Sequence, residues 1–367
     1  MIDVRFRDSA SHVKSITVLA FTVFLALHLP IALSAPAFRD PLDYPAVAVS
    51  AVADRPTMAI ASVDDYVVAV GPRGLIIRSE DQGKTWVQSS VPVQSDLLAV
   101  HFPNARDGWA VGHDGVILHS SDGGRSWIKQ LDGRIAAATF KNYYAAEEAS
   151  PAMEAAAFLV ELNFRSGPSL PYLDVWFEDA QRGFVVGSFG MIAATDDGGQ
   201  TWTPWMHRID NDEALHLNSI RGIGGNIFIA GEHGSVLKLD RARQHFMTTS
   251  TDYAGSFFGI TGNRSTLLAY GLRGTAYRSE DSGISWQAVE IPSDSTLTAG
   301  AVDPGSDRFV LVNSAGQFLL GDVTGSRFND VQTDAPMRYT GVVVSDGVAV
   351  VSSLAGTRSV LITDLAE

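Results

Sequence analysis

From about residue 58 onward the chain is a succession of short apolar runs, each closed by a cluster of Gly, Asp, Asn or Ser. Runs of that length and punctuation predict antiparallel strands joined by tight turns. One phrase keeps returning: an apolar strand, a Gly-x-x-Gly turn, a second strand, then Ser/Thr-x-Asp-x-Gly-x-Thr/Ser-Trp. Its last part is intact at Ser79–Trp86, Ser120–Trp127, Thr195–Trp202 and Ser279–Trp286. The turn is the steadier ruler. It stands at Gly71/Gly74, Gly112/Gly115, Gly187/Gly190, Gly231/Gly234 and Gly271/Gly274, with altered forms at Asn313/Gly316 and Ser353/Gly356. First positions lie 41, 75, 44, 40, 42 and 40 residues apart. A period near 40 residues built of short strands is the signature of propeller blades, so the pattern predicts an all-β, seven-bladed β-propeller. The long step is one period plus an insertion of about 34 residues between blades 2 and 3.

Blade 2 shows the internal grammar, with strands expected at Leu98–Phe102, Gly108–Gly112, Val116–Ser120 and Trp127–Gln130. The last blade offers only three, at Tyr339–Val344, Gly347–Ser352 and Ser359–Asp364. The apolar stretch Ala46–Val52, which has no other assignment, is therefore expected to close the ring as the outer strand of that blade, which leaves no long exposed edge.

In each intact phrase the Asp (Asp81, Asp122, Asp197, Asp281) sits where its carboxylate can accept turn N–H groups, while the Trp (Trp86, Trp127, Trp202, Trp286) supplies apolar burial against the adjoining blade. Carboxylates repeated from blade to blade suit a scaffold better than one active centre. Copies such as Gly112-His113-Asp114-Gly115 followed by Val116–Gly124 resemble the BNR or Asp-box repeat, and the order of turns resembles the photosystem II stability/assembly factor family. That resemblance covers residues 58 to about 290 well and the last two blades by rhythm alone. It implies an accessory protein outside the cytoplasm, without chemistry of its own, that helps a membrane complex assemble.

The insertion, residues 131–170, reads as a helical hairpin. Residues 134–148 form the first expected helix; Ser150 suits an N-cap, Pro151 a first helical position and Met153–Asn163 the second helix, ended by Gly167 and Pro168. Its apolar members Phe140, Tyr143, Tyr144, Phe158, Leu159 and Leu162 exceed what two short helices need to pack together, so they either cover blades 2 and 3 or meet a partner.

Composition narrows the field. Hydrophobic content of 46% supports a packed core, and the absence of Cys removes disulfides, thiolate chemistry, cysteine metal sites and a cysteine-linked lipid anchor from these 367 residues. A net charge of −14 argues against nucleic acid. Residues 1–37 differ in kind: Arg5, Arg7 and Lys14 precede the apolar Ile16–Leu29, then Pro30 and the small residues Ser34, Ala35 and Ala37, as in a secretory signal or an uncleaved signal anchor. Export to the periplasm or beyond, possession of one propeller domain over 41–367 and a monomeric state are the expectations.

The Gly-x-x-Gly turns join second and third strands, so all lie on one rim with the interblade connections and the insertion. Position exposes Arg73, His113, Asp114, Phe189, Glu232, His233 and Arg273 there, a mixture of Arg, His and aromatic that suits a protein-binding rim. His113 and His233 lack further ligands at metal-site spacing, and no cofactor motif is present. Trp176 and Phe177 read as core or channel lining, with His216 opening the innermost strand of blade 4. An exported, non-enzymatic scaffold serving an integral membrane protein complex is the main reading. A sialidase-like glycoside hydrolase is the alternative, with Asp114 and Glu232 as the rim acids, and a saccharide- or peptide-binding propeller is a third.

Overall fold

A computed structural model describes residues 40–362, apart from residues 65, 332, 334, 335 and 346. Seven antiparallel sheets stand in chain order, six of four strands and the last of three. Innermost strands of successive blades pack on one another, and that of blade 7 (Tyr339–Ser345) lies against that of blade 1 (Ala59–Val63), which closes the ring. Second strands such as Tyr66–Val70, Gly183–Gly187 and Phe309–Asn313 are buried along their whole length. Sandwiched between neighbouring blades, they read as continuous apolar runs and not as alternating ones. Blade 2 follows the expected grammar at Leu97–His101, Gly108–Gly112, Ile117–Ser120 and Ile128–Leu131.

Closure differs from expectation. Ala46–Val52 forms no strand, and blade 7 ends on Gly356–Leu361, which begins directly after its turn and not at Ser359. A non-local contact decides the matter. Ala46 N–H donates to the Val91 carbonyl at 2.9 Å, while the Gln88 amide accepts from Val49 N–H at 2.9 Å and donates to the Val47 carbonyl at 3.0 Å. A glutamine side chain carries both a donor and an acceptor, so it imitates a strand partner and holds the segment on the outside of blade 1. Ala51 then turns the chain with φ 50° into the single 3-10 turn Val52–Asp54. Thr57 makes the junction: its N–H donates to the Ser353 carbonyl at 2.9 Å, and its carbonyl accepts from Thr340 Oγ1 at 2.8 Å.

The insertion is a helical hairpin, α1 (Gly133–Ala146) and α2 (Pro151–Phe164). Asp132 caps α1 by accepting from the N–H groups of Arg134 and Ile135, and Ser150 caps α2 by accepting from Met153 N–H at 3.3 Å. The expected leader, residues 1–37, lies outside the described residues. Among the described residues no helix is long and apolar enough to cross a membrane.

Candidate docking face

The rim is built by repetition. In five turns the third residue takes the left-handed conformation: Arg73 (φ 57°), Asp114 (60°), Phe189 (52°), His233 (52°) and Arg273 (56°). The glycine that follows is also left-handed, and at Gly74, Gly234 and Gly274 it has no room for a side chain; a Cβ on Gly234 would lie 1.8 Å from the Tyr253 carbonyl oxygen. This geometry stands Arg73, Phe189, His233 and Arg273 off the rim, exposed, with His113 beside them.

The two rim acids are otherwise engaged. Asp114 Oδ2 accepts from Ser95 Oγ at 2.8 Å, and Glu232 Oε2 accepts from His216 N–H at 2.8 Å, so both brace turns against interblade connections. His216 in turn accepts the Phe189 N–H on Nδ1 at 2.8 Å. His233 faces Glu213 at 3.5 Å, and among the described residues no group of His, Asp and Glu could hold a metal ion.

On the opposite side the Asp phrases are turn locks. Asp81 Oδ1 accepts from Ser79 Oγ and Thr85 N–H, both at 2.8 Å, and Oδ2 accepts from Thr85 Oγ1 at 2.6 Å. Asp122, Asp197 and Asp281 repeat the pattern with Ser126, Thr201 and Ser285. Hydrogen bonds from Thr85 hold the Asp81 carboxyl down to about 2, and those from Ser285 do the same for Asp281. Trp127 and Trp202 are buried edge-on against Phe102 (5.8 Å) and Phe177 (5.9 Å); Trp86 and Trp286 are half-buried. A further lock, absent from the motif reading, occurs in blade 6, where Asp322 accepts from Ser326 N–H at 3.0 Å and Ser326 Oγ at 2.9 Å without any Trp.

The channel opens on the rim through a device with no motif. In blades 2 to 7 the innermost strand skips one residue of its register next to the turn: Leu98, Leu173, Asn218, Phe258, Thr298 and Thr340. Such bulges bend each strand at the same height. Those six side chains and Met58 line a polar cavity of about 210 Å³. Within it Asp174 holds Arg221 in an ion pair and accepts Ile220 N–H at 2.8 Å. At the other end of the innermost strand of blade 3, Phe177 is buried in the core and stacks on Trp109, while Trp176 lies tilted on His101, whose imidazole burial pushes down to about 3.

The hairpin divides its apolar residues between two faces. Phe140 and Tyr144 are buried in the core shared with blades 2 to 4, and Tyr143 and Leu159 are half-buried against it. Phe158 and Leu162 point outward, 65% and 46% exposed. Two bonds pin the hairpin: Tyr144 Oη with His207 Nδ1 at 3.1 Å, and Asn163 Nδ2 donating to the Phe189 carbonyl at 3.1 Å. At its base Arg134 bridges Asp132 to Asp43 of the N-terminal segment at 2.9 and 2.8 Å. Burial alone would raise Asp132, yet hydrogen bonds from Arg134 and Lys129 hold it well below the usual carboxylate range. The predicted insertion contacts thus separate into Phe140 and Tyr144, which belong to the fold, and Phe158 and Leu162, which are presented to solvent.

Fold and rim define an Asp-box β-propeller with a helical hairpin mounted on its turn face. The chain belongs to the family described as photosynthesis system II assembly factor YCF48, matched over residues 52–140 and 154–334. The match is interrupted at 141–153, the end of α1 and the start of α2. Relatives include the photosystem II assembly lipoprotein Ycf48 of Synechococcus sp. (strain CC9902), 32% identical over 43% of this chain and 47% of that protein. The protein of the same name from Parasynechococcus marenigrum (strain WH8102) is 35% identical over 40% of this chain and 44% of its own length. The chain thus spans less than half the length of these curated relatives. Among solved structures, YCF48 bound to D1 peptide superposes with TM-score 0.59 at 15% identity, covering 83% of this chain and 92% of that one. YCF48 from Cyanidioschyzon merolae does so at 0.59 and 15%, covering 84% and 96%; both likenesses are of fold.

Proposed function

We propose that this protein is an exported, non-enzymatic docking scaffold that assists assembly of an integral membrane protein complex, and that it meets its client with the rim and the outer face of α2. The observation that carries the reading is the second apolar face of α2. The helix already buries Ala156 and Val160 in the propeller core, yet it presents Phe158 and Leu162 one turn apart on the other side. A helix apolar on two sides suits two neighbours, and aromatic anchors in such a patch are what interfaces use. Arg73 and Arg273 add exposed guanidinium groups along the same rim. The name of the relatives, assembly lipoprotein, and a solved relative bound to a peptide support a polypeptide client. The family match supports this reading over the glycoside hydrolase alternative, and the bonds of Asp114 to Ser95 and of Glu232 to the His216 backbone give both rim acids a structural role.

The test is capture of the tagged protein from crosslinked membranes, comparing the native chain with the Phe158→Ser/Leu162→Ser double variant. Enrichment of one integral membrane protein by the native chain, and its loss in the variant with an unchanged melting curve, is the expected result. Equal capture by both removes α2 from the docking face. Turnover of aryl glycosides that vanishes in Asp114→Asn or Glu232→Gln would overturn the non-enzymatic reading.

A further inference from the structure

The ion pair at the channel mouth is built unlike a purely structural one. Arginine and carboxylate commonly meet fork to fork, through two parallel bonds. Here Arg221 spends a single nitrogen: Nη1 donates to Asp174 Oδ2 and to the Ile220 carbonyl, the latter at 2.6 Å. Asp174 is satisfied elsewhere, because Oδ1 accepts Val175 N–H at 2.9 Å and Oδ2 accepts Ile220 N–H at 2.8 Å. Nε and Nη2 of Arg221 therefore donate to nothing among the described residues. The Asp174 side chain is 5% exposed and that of Arg221 41%, so the guanidinium, and not the carboxylate, is open to the cavity that both line.

A second donor lines the same cavity. Tyr270, on the second strand of blade 5 (Leu267–Gly271), reaches it because the innermost strands of blades 5 and 6 carry glycine where its side chain passes. A Cβ on Gly259 would lie 2.3 Å from Tyr270 Oη, and one on Gly300 2.7 Å from its ring. Burial pushes the phenol up to about 12, so the hydroxyl keeps its proton, and no acceptor for it is found among the described residues. Asn218 and Thr298 spend hydrogens on the carbonyls of Phe257 and Val312 at 2.8 and 3.2 Å, which leaves their side-chain oxygens to accept. An open cationic fork, a neutral O–H donor and two acceptors thus share about 210 Å³, less than the pockets that hold drug-sized ligands.

We infer that the channel mouth binds a small free hydroxy acid, with its carboxylate on the Nε–Nη2 edge of Arg221 and its hydroxyl donating to Asn218 or Thr298. A carboxylate matches that edge through two parallel N–H···O bonds. It also adds only one charge beside Asp174, where a phosphate would add close to two. The same group ends every polypeptide, but the size of the cavity favours a free acid of a few heavy atoms. The site lies in the channel and uses nothing of α2, so neither capture of a client nor its failure bears on it.

The test is saturation-transfer NMR on the intact protein with lactate, propionate, lactamide and N-acetylalanine as probes. Lactate should bind, propionate about tenfold more weakly for want of the hydroxyl, and lactamide, nearly isosteric but uncharged, at least about tenfold more weakly. Asp174→Asn/Arg221→Gln removes both charges and so strands neither; it should abolish lactate binding. Tyr270→Phe should weaken lactate about fivefold with an unchanged melting curve, and it decides the matter together with lactamide should the double variant not fold. Absence of transfer to lactate, lactamide binding as well as lactate, or lactate binding that survives in folded variants would overturn the inference. Tighter binding of N-acetylalanine than of lactate would put a chain end on Arg221 and overturn the assignment to a free acid.

Discussion

The two faces of the hairpin should separate cleanly under single truncations. Phe140 is 1% exposed, in the core that joins α1 to blades 2 to 4, whereas Phe158 is 65% exposed on α2. Truncating a buried phenylalanine removes its transfer free energy and leaves a void that packed surroundings fill only in part, so Phe140→Ala should cost about 3–5 kcal/mol of local stability. Phe158→Ala gives up little buried area and gains helix propensity, which keeps its effect on stability within about 0.5 kcal/mol. Hydrogen exchange of peptides spanning 133–164, with a thermal melt of the whole protein, reads both. The order should invert for client capture: Phe158→Ala should lose about 2 kcal/mol or more, roughly thirtyfold, if it is an interface anchor. A Phe140→Ala hairpin that opens no more readily than the native one, or a Phe158→Ala change that destabilises the fold by more than about 1 kcal/mol, would refute the division of faces.

The Asp locks predict a response to acid. Asp81 and Asp281 lie at about 2 in the folded protein against an ordinary value of 3.8. A depressed carboxyl stabilises the fold above its unfolded value and loses that contribution as pH falls toward the folded one. Urea midpoints should therefore drop between about pH 4 and pH 2, and the Asp81→Asn/Asp281→Asn variant should show a shallower drop; parallel curves would remove these carboxylates as the cause. In blade 6, Asp322→Ala should cost about 1 kcal/mol by chemical denaturation, since it removes the bonds that the carboxylate accepts from Ser326 and leaves those exposed groups to water, whereas a neutral result would mean that the lock without Trp is idle.

What was readable in the chain is what is local and repeated. Each Gly-x-x-Gly turn needs a left-handed residue followed by a left-handed glycine, so the turn writes itself into sequence and the blades can be counted from it. The hairpin was readable for the same reason, through Ser150, Pro151 and Gly167, although its first helix starts one residue earlier and ends two earlier than expected. Features that depend on a second, distant residue were not. Ala46–Val52 is apolar as a buried strand should be, but the partner that claims it is the side chain of Gln88, and nothing within the stretch distinguishes that neighbour from blade 7. Asp114 and Glu232 look free at the tips of turns until Ser95 and the His216 backbone are brought up to them. The bulges at the channel mouth add one residue to a strand whose composition is ordinary, and Asp322 performs its lock without the Trp that makes the motif visible. Repetition explains both outcomes: the turn recurs because its backbone geometry tolerates few residue types, whereas a docking face has to differ from blade to blade. The departure from the repeat, the outer face of α2, is accordingly where experiments on partner binding have most to find.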